Sequence, residues 1–275
     1  MFPPCFRFDN IGEILYYIRQ KYSSETTEQC MNVMGCSVVS VTSVRIKQTE
    51  QAKRRKDMFK QVMKKIGVIF LALTLLILDL TLLGAFPLLT QDGKFSLVEQ
   101  IGYGVWALGS LAIFIVIAYR FKLLSLKEIN WRRLVAIASL NLVIFFLGDF
   151  LGYFVGQLTH NATMENQDAL NKIFIHVPTY LKFAVVGFIV PIMEEIIFRG
   201  LLAKVLFGKY FKTGLVISSL LFMAGHSAFT LQTIVIYGIM SAGLAITYYK
   251  TKRIEYSMGV HILNNSISVL LSLFV

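Results

Sequence analysis

Charged residues are scarce in this chain. They make up 16% of its 275 residues, while 56% are hydrophobic and the mean hydropathy is +0.64. A typical soluble domain carries about 25% charged residues. The shortage argues against an ordinary soluble domain and predicts an all-α polytopic membrane protein. In such a protein the net charge of +11 concerns loop orientation, and we expect no nucleic-acid partner.

Cysteine is also rare. Cys5, Cys30 and Cys36 all precede the first apolar run and form no close pair. An odd count at these spacings predicts neither a disulfide framework nor a cysteine metal site. The zinc-peptidase signature H-E-x-x-H and the serine-hydrolase signature G-x-S-x-G are both missing from the sequence. The chain therefore does not match these two common hydrolase types.

Long apolar runs are what the chain has in abundance. Each of them is near the 20 residues that a helix needs to cross a bilayer. The runs cover residues 66–89, 101–119, 134–157, 181–203, 213–230, 232–249 and 255–274. They predict an all-α transmembrane bundle of about seven spans.

Basic residues mark alternate connections between these runs. Lysine and arginine precede the first span and fill the connections two to three, four to five and six to seven, whereas the other connections hold few. Because basic loops stay on the cytoplasmic side, this pattern predicts a multi-pass cell-membrane protein with a cytoplasmic N-terminus and an outside C-terminus. The Lys-, Ile- and Phe-rich composition is typical of a bacterial protein.

Residues 1–57 differ from the rest of the chain. They hold all the cysteines, end in the charged sequence KRRKD and contain no apolar run of the kind found in signal peptides. At Met58 a new methionine followed by lysines leads into the first span. We expect residues 1–57 to be either a poorly structured N-terminal extension or upstream sequence added by a start placed too early, with Met58 as the alternative start.

Most polar side chains inside the spans fall on the fourth, fifth and seventh. A charged group at the bilayer centre costs roughly 2.5–3.5 kcal/mol, so such groups face the bundle interior and pair with one another. The residues concerned are Glu194, Glu195, Arg199, His226, His261, Asn264 and Asn265. Their concentration on these spans predicts one shared internal site.

Helical spacing assigns partners within the fourth span. Glu195 and Arg199 are four residues apart with the acid first, which is the favourable order for an ion pair on one helix face. Glu194 is rotated from Glu195 by about 100° and can point elsewhere without an arginine of its own. An unpaired glutamate of this kind suits a general base.

Two plainer interpretations stay open at this point. The polar residues could form an ion-pair network that only holds helices together. Asp79 and Asp149 lie on separate spans with no motif around them, and we expect both to be structural. A pair of intramembrane aspartates is also compatible with an intramembrane aspartyl protease, but Asp149 lacks the second glycine that such enzymes show.

Three motifs stand intact, in order and each in its own span. They are Glu194-Glu195-x-x-x-Arg199, Phe222-x-x-x-His226 and His261-x-x-x-Asn265. In this the chain resembles the CPBP intramembrane proteases, which include the CAAX prenyl endopeptidases and the bacteriocin-processing or immunity (Abi) proteins. The resemblance covers about residues 135–275. It implies a catalytic core at residues 134–275, preceded by two generic spans within residues 58–133.

The resemblance also implies roles for the motif residues. Glu194 would activate water with help from His226, Glu195 and Arg199 would form a supporting pair, His261 and Asn265 would stabilise the oxyanion, and Phe222 would shape the substrate pocket. A competing scheme makes the family metal-dependent. In that scheme Glu194, His226 and His261 would be ligands of a zinc ion with one open position.

The implied activity is hydrolysis of a peptide bond in a membrane-anchored protein or peptide, within or at the edge of the lipid bilayer. Bacteriocin maturation and self-immunity are compatible settings. Two alternatives remain: a non-proteolytic immunity or sensor-binding protein of the same fold, and a small proton-coupled transporter. The sequence shows no internal repeat, which disfavours the transporter.

Overall fold

The computed structural model describes residues 26–85, 95–125, 127–160, 172–226 and 230–272, with almost all side chains from residue 48 onward. These described residues are helical and contain no strand, which confirms the all-α prediction. They fall into two compact units that meet between Lys64 and Lys65. The predicted division of the chain at residues 57 and 133 stays a prediction.

The described ranges contain seven helices. In chain order they are α1 (Thr26–Leu80), α2 (Leu97–Arg120), α3 (Trp131–Leu158), α4 (residues 179–206), α5 (Phe211–His226), α6 (Leu231–Thr251) and α7 (Ile254–Leu271). A short π-helical turn, Thr81–Ala85, continues α1, and a single 3₁₀ turn, Gly208–Tyr210, precedes α5.

The first unit consists, in its described part, of α1 up to Lys64. Residues 26–57, for which the sequence predicts little structure, are helical here, and residues 1–25 lie outside the described residues. Side chains 48–64 are all exposed.

The second unit contains most of the membrane-spanning candidates. By length and composition, four helices of the described part can cross a membrane: Gln48–Gly84, Leu97–Arg120, Trp131–Leu158 and Leu231–Thr251. The other three predicted spans hold the polar motif residues. α5 has only 16 residues, and in α7 His261 and two asparagines lower the mean hydropathy. A multi-pass membrane protein is therefore confirmed, while the count of seven spans stays a prediction.

Large apolar side chains cover the outer faces of α2 and α3. Val98 is 79% exposed, Val105 66% and Phe150 71%. Contiguous apolar surface of this extent marks a surface that meets a partner or a lipid phase. Here it is the surface expected of helices that face a bilayer.

Cap residues set the beginnings of several helices. α2 begins earlier than predicted because Ser96 and Glu99 form a capping box, in which each side chain binds the other's backbone N–H. Asn130 accepts a hydrogen bond from the backbone N–H of Arg133 and starts α3. Thr230 caps α6 in the same way. Hydropathy does not report these polar contacts, so the predicted span limits differ from the observed ends by a few residues.

Helix α4 changes its hydrogen-bonding pattern along its length. Phe183–Ile189 and Ile196–Leu206 are π-helical, and the α-helical segment Val190–Glu195 lies between them. Pro191, which has no N–H to donate, lies at the start of that α-helical segment. π-Helical turns are rare and frequently occur at functional sites. The two adjacent glutamates lie at the end of the segment where the pattern changes again.

The centre of the second unit is built around α4. This helix packs against α5 and α7, while α6 packs against α3, α5 and α7. Met193, Ile196 and Leu201 of α4 are fully buried. The core of the unit therefore surrounds the motif-bearing turn of α4.

A close approach between α5 and the end of α4 depends on Gly214. A Cβ at this position would lie 2.5 Å from the backbone oxygen of Ala203 and 2.8 Å from the Cβ of Phe207. Backbone atoms cannot move aside easily, so the contact requires glycine.

We expect Gly214→Ala to lower the free energy of unfolding by about 1–3 kcal/mol, because the added methyl group overpacks this contact. Gly104→Ala is the matched control, since nothing lies within 4 Å of a Cβ there and alanine favours a helix by roughly 0.5–1 kcal/mol. Thermal unfolding of the purified variants in detergent measures both. Equal effects of the two substitutions would contradict the close approach.

Candidate active site

Three helices bring the predicted motif residues together. Glu194 of α4 lies between two imidazoles, with its Oε1 3.2 Å from Nε2 of His226 and its Oε2 3.5 Å from Nε2 of His261. His226 is the last residue of α5 and His261 lies in the middle of α7. Two histidines that are 35 positions apart in the sequence thus share one carboxylate.

Glu195 and Arg199 form a buried ion pair. Nη1 of Arg199 lies 3.3 Å from Oε1 of Glu195, and both side chains are 0% exposed. Nη2 of Arg199 donates to the backbone oxygen and to Oγ of Ser241, both at 3.2 Å. The hydroxyl of Ser257 donates to Oε2 of Glu195. A buried charge needs such partners, and this pair has them.

Glu194 faces the other way and has a different partner. Nδ1 of His226 lies 2.9 Å from the backbone oxygen of Phe222. A carbonyl oxygen only accepts, so Nδ1 carries a hydrogen and donates it. In the neutral ring Nε2 is then a bare acceptor, and it faces a carboxylate oxygen 3.2 Å away. Two acceptors approach this closely only with a proton between them, so Glu194 and His226 are arranged to share one proton.

His261 connects the two glutamates. Its Nε2 is 3.5 Å from Glu194, and its Nδ1 is 3.4 Å from Oε1 of Glu195, the oxygen that also faces Arg199. Neither ring nitrogen has hydrogen-bond geometry in this arrangement. The ring is 1% exposed. His261 therefore lies between the buried ion pair and Glu194.

Phe222 lies behind this constellation. Its ring stacks on His226 at 4.3 Å between centroids and meets His261 edge-on at 5.6 Å. The guanidinium of Arg199 lies 4.6 Å from the centre of the same ring, which is a cation–π distance. Phe222 is 0% exposed and packs beneath the imidazoles, whereas the residues that line the cavity are others.

A cavity of about 790 Å³ opens onto Glu194, His226 and His261. Asn264 and Asn265 line it too, and Nδ2 of Asn265 donates to the backbone oxygen of Val186 at 3.3 Å. Glu194 is 6% exposed and His226 22%. Glu195 and Arg199 are sealed from the cavity, so only one of the two adjacent glutamates faces its interior.

Several residues that the sequence did not single out complete the site. Ser257 lies four residues before His261, and that spacing was a usable signal because it places both on one face of α7. Ser241 and Tyr237 lie on α6 and carry no such signal; the ring of Tyr237 packs 5.2 Å from His226. The cavity is also lined by Asp79 and Asp149, both of which we expected to be structural.

The zinc scheme can be tested against this geometry. Two imidazoles and a carboxylate are donors that suit zinc. Among the residues that the structure describes, however, no group of three or more His, Cys, Asp or Glu side chains is arranged to hold a metal ion. Glu194 and His226 come together here as a proton-sharing pair, and His261 lies beside them without hydrogen-bond geometry at either ring nitrogen.

Comparison with known proteins agrees with the motifs. Residues 176–267 match the family model described as type II CAAX prenyl endopeptidase Rce1-like. All three motifs lie inside that segment, which confirms the resemblance inferred from them.

Curated relatives of this chain are bacterial. The putative membrane peptidase YdiL of Bacillus subtilis is 29% identical over 222 residues, which cover 74% of this chain and 88% of the relative. The UPF0177 protein YaiF of Lactococcus lactis is 28% identical over 165 residues, or 58% of this chain and 72% of the relative. UPF0177 protein YvdC of the same species is 29% identical over 133 residues, or 48% and 50%. No solved structure matches the chain significantly.

The buried ion pair yields a stability prediction. Arg199→Met leaves Glu195 buried without its cation, and we expect it to lower the free energy of unfolding by about 3–5 kcal/mol. The double variant Glu195→Gln/Arg199→Met should lose clearly less than the sum of the single losses. Thermal or denaturant unfolding in detergent measures the cycle.

Arg132→Met is the matched control, because Arg132 is exposed at the start of α3 and surface substitutions usually change stability by less than about 0.5 kcal/mol. A loss at Arg199 no larger than that at Arg132, or strictly additive losses in the cycle, would contradict a buried pair.

Proposed function

Since residues 176–267 match the Rce1-like segment of a membrane protease family, we propose that this protein is an intramembrane endopeptidase. It hydrolyses a peptide bond in a membrane-anchored protein or peptide by means of a water molecule that Glu194 activates. The observation that carries the proposal is the proton-sharing contact between Glu194 and His226 at the wall of a cavity of about 790 Å³.

The proposed first step is attack by water on the scissile carbonyl carbon. In the resting pair the shared proton lies on Nε2 of His226 and Glu194 is ionised. Glu194 then accepts a second proton, from the water, as the new C–O bond forms. The carbonyl π bond breaks and its electrons move to oxygen, which gives a tetrahedral intermediate. General base catalysis of this kind contributes about 10²–10⁴ in rate.

His261 and Asn265 are the proposed stabilisers of that oxyanion. Both line the cavity on α7 and are four residues apart, so they present polar atoms along one helix face. An N–H group directed at the developing charge typically contributes about 10²–10³ in rate. In the second step the carbonyl π bond re-forms, the C–N bond breaks, and the proton that Glu194 took from the water passes to the leaving amine, which restores the resting pair. Water is consumed and two peptide ends are released.

Glu195 and Arg199 act as a support in this scheme. Their pair holds Nδ1 of His261 at 3.4 Å from Glu195, and Ser241 and Ser257 hold the pair in turn. A side chain locked by such contacts keeps its orientation during the reaction. We therefore propose that the pair positions His261 and does not itself touch the substrate.

The surroundings of the site favour a membrane-attached substrate. The cavity wall is mostly apolar, and the outer helices present apolar side chains to the bilayer. Bacteriocin maturation or self-immunity would fit a bacterial protease acting on such peptides. We also propose that residues 134–275 form the catalytic core, that residues 58–133 supply the first two spans and that residues 1–57 are an extension; the mass of the native protein shows whether it starts at Met1 or Met58.

Glu194→Gln should abolish cleavage, with a loss of at least 100-fold, because glutamine cannot accept the proton from water. The measurement is cleavage of a library of membrane-anchored peptides in liposomes, with and without a chelator. Glu128→Gln is the matched control, since Glu128 is exposed outside the site, and it should cleave as the unchanged protein does.

Each outcome separates one scheme from another. Cleavage that is lost in Glu194→Gln and indifferent to chelator supports the glutamate mechanism, and loss by chelation favours the metal scheme. Full cleavage by Glu194→Gln would overturn the proposal. No cleavage of any peptide, with a cellular phenotype that survives Glu194→Gln, would favour a non-proteolytic immunity or sensor-binding protein. Proton-coupled uptake without cleavage products would favour a transporter.

The orientation of the chain is a further part of the proposal. The basic connections place Lys209 in the cytoplasm and Thr159 outside, and both side chains are exposed. In a variant whose three cysteines are replaced by serine, Thr159→Cys should react with a membrane-impermeant maleimide in intact cells, and Lys209→Cys only after lysis. The reverse labelling pattern would contradict the proposed topology.

A further inference from the structure

Asp79 is a buried carboxyl group that the proposed mechanism does not use. It lies near the end of α1, is 2% exposed and lines the same cavity as Glu194. Its Oδ1 is buried and has no hydrogen-bond partner. A buried polar atom without a partner carries a cost of about 1–3 kcal/mol, so this oxygen needs a function or an occupant.

The other buried carboxylates of the site are already partnered. Glu195 faces Arg199 and Ser257, and Glu194 faces two imidazoles. Asp79 lines the same cavity, and its Oδ1 has no such partner among the described residues. A cation placed beside Asp79 would supply one.

The other charged residues on the cavity wall also favour a cation. Asp149 lies on the wall at its exposed margin, and Lys182 contributes the one lysine among the described lining residues. Nζ of Lys182 lies 3.3 Å from Oγ of Ser272, just beyond the end of α7. Glu194 already has two imidazole partners, so Asp79 and Asp149 are the carboxyl groups of the wall that remain against one lysine. The cavity therefore favours a positively charged occupant.

The cavity that Asp79 lines has a mostly apolar wall. Apolar lining residues come from α1, α3 and α4 and include Ala72, Leu76, Leu83, Phe145, Val186 and Val190. An apolar cavity that contains a buried carboxyl group matches a lysine or arginine side chain, whose methylene stem packs on apolar surface while its charged head reaches a polar partner.

We propose that Asp79 forms a substrate subsite for a cationic side chain, lysine or arginine, close to the scissile peptide bond. The inference rests on the proposed peptidase function and names its substrate class: membrane-anchored peptides that carry a basic residue in the segment entering the cavity. Charged residues within membrane segments are rare and costly. A subsite of this kind allows the protein to distinguish its substrate from the many purely apolar helices in the same bilayer.

The test measures binding, so that it does not depend on turnover. Glu194→Gln protein, which is expected not to hydrolyse peptides, is reconstituted in liposomes with fluorescent membrane-anchored peptides. Within each pair the peptides are identical except for one lysine or one methionine, and the position of that residue is moved along the segment. We expect the lysine peptide to bind about tenfold or more tightly than its methionine partner in at least one register.

Asp79→Asn, introduced into the same protein, should reduce that preference to less than about threefold. Asp57→Asn is the matched control, because Asp57 is an exposed aspartate of α1 outside the cavity, and it should leave the preference unchanged. Thermal unfolding checks that the Asp79→Asn protein is folded.

Equal binding of lysine and methionine peptides in every register would overturn the proposal. This comparison uses protein that retains Asp79, so it does not depend on the stability of the Asp79→Asn variant. A preference that survives Asp79→Asn would also overturn it and assign the recognition to another group. Failure of the peptidase proposal is seen separately, as absence of cleavage by the protein that retains Glu194.

Discussion

The site depends on the buried pair formed by Glu195 and Arg199. Two charges are held at 0% exposure inside a helical bundle when each pairs with the other and when further polar groups bind them. Ser241 on α6 and Ser257 on α7 do this, so one ion pair ties α4 to two further helices. The same pair lies 3.4 Å from Nδ1 of His261, whose other ring nitrogen lies 3.5 Å from Glu194.

Neighbouring positions in the sequence acquire opposite environments through this arrangement. Glu194 and Glu195 differ by one step along α4, yet one faces a cavity and the other a guanidinium. The change of backbone pattern at the end of Val190–Glu195 lies at this step. Consecutive residues of a helix point in different directions, so Glu194 and Glu195 meet different neighbouring helices. Those neighbours give one carboxylate imidazole partners and the other a guanidinium.

Local spacing predicted part of this structure well. The residues at i and i+4 in α4, α5 and α7 do share faces, because helical geometry alone decides that, and the apolar runs located the helices. Contacts between helices were not accessible in the same way. Nothing about Ser241 or Asp79 in the linear sequence indicates which helix each faces. The hydropathy of α1 gives no sign of a role in the site, yet α1 supplies part of the cavity wall. Phe222 packs against the imidazoles through contacts with α4 and α7, which its own helix does not predict.

The position of Phe222 has an electrostatic consequence. One aromatic ring contacts both a permanent cation, Arg199, and an imidazole that gains positive charge whenever it takes up a proton. The electron-rich faces of the ring attract positive charge. The ring thus offers both groups a favourable apolar neighbour, and an aliphatic side chain of equal volume would fill the space without that attraction.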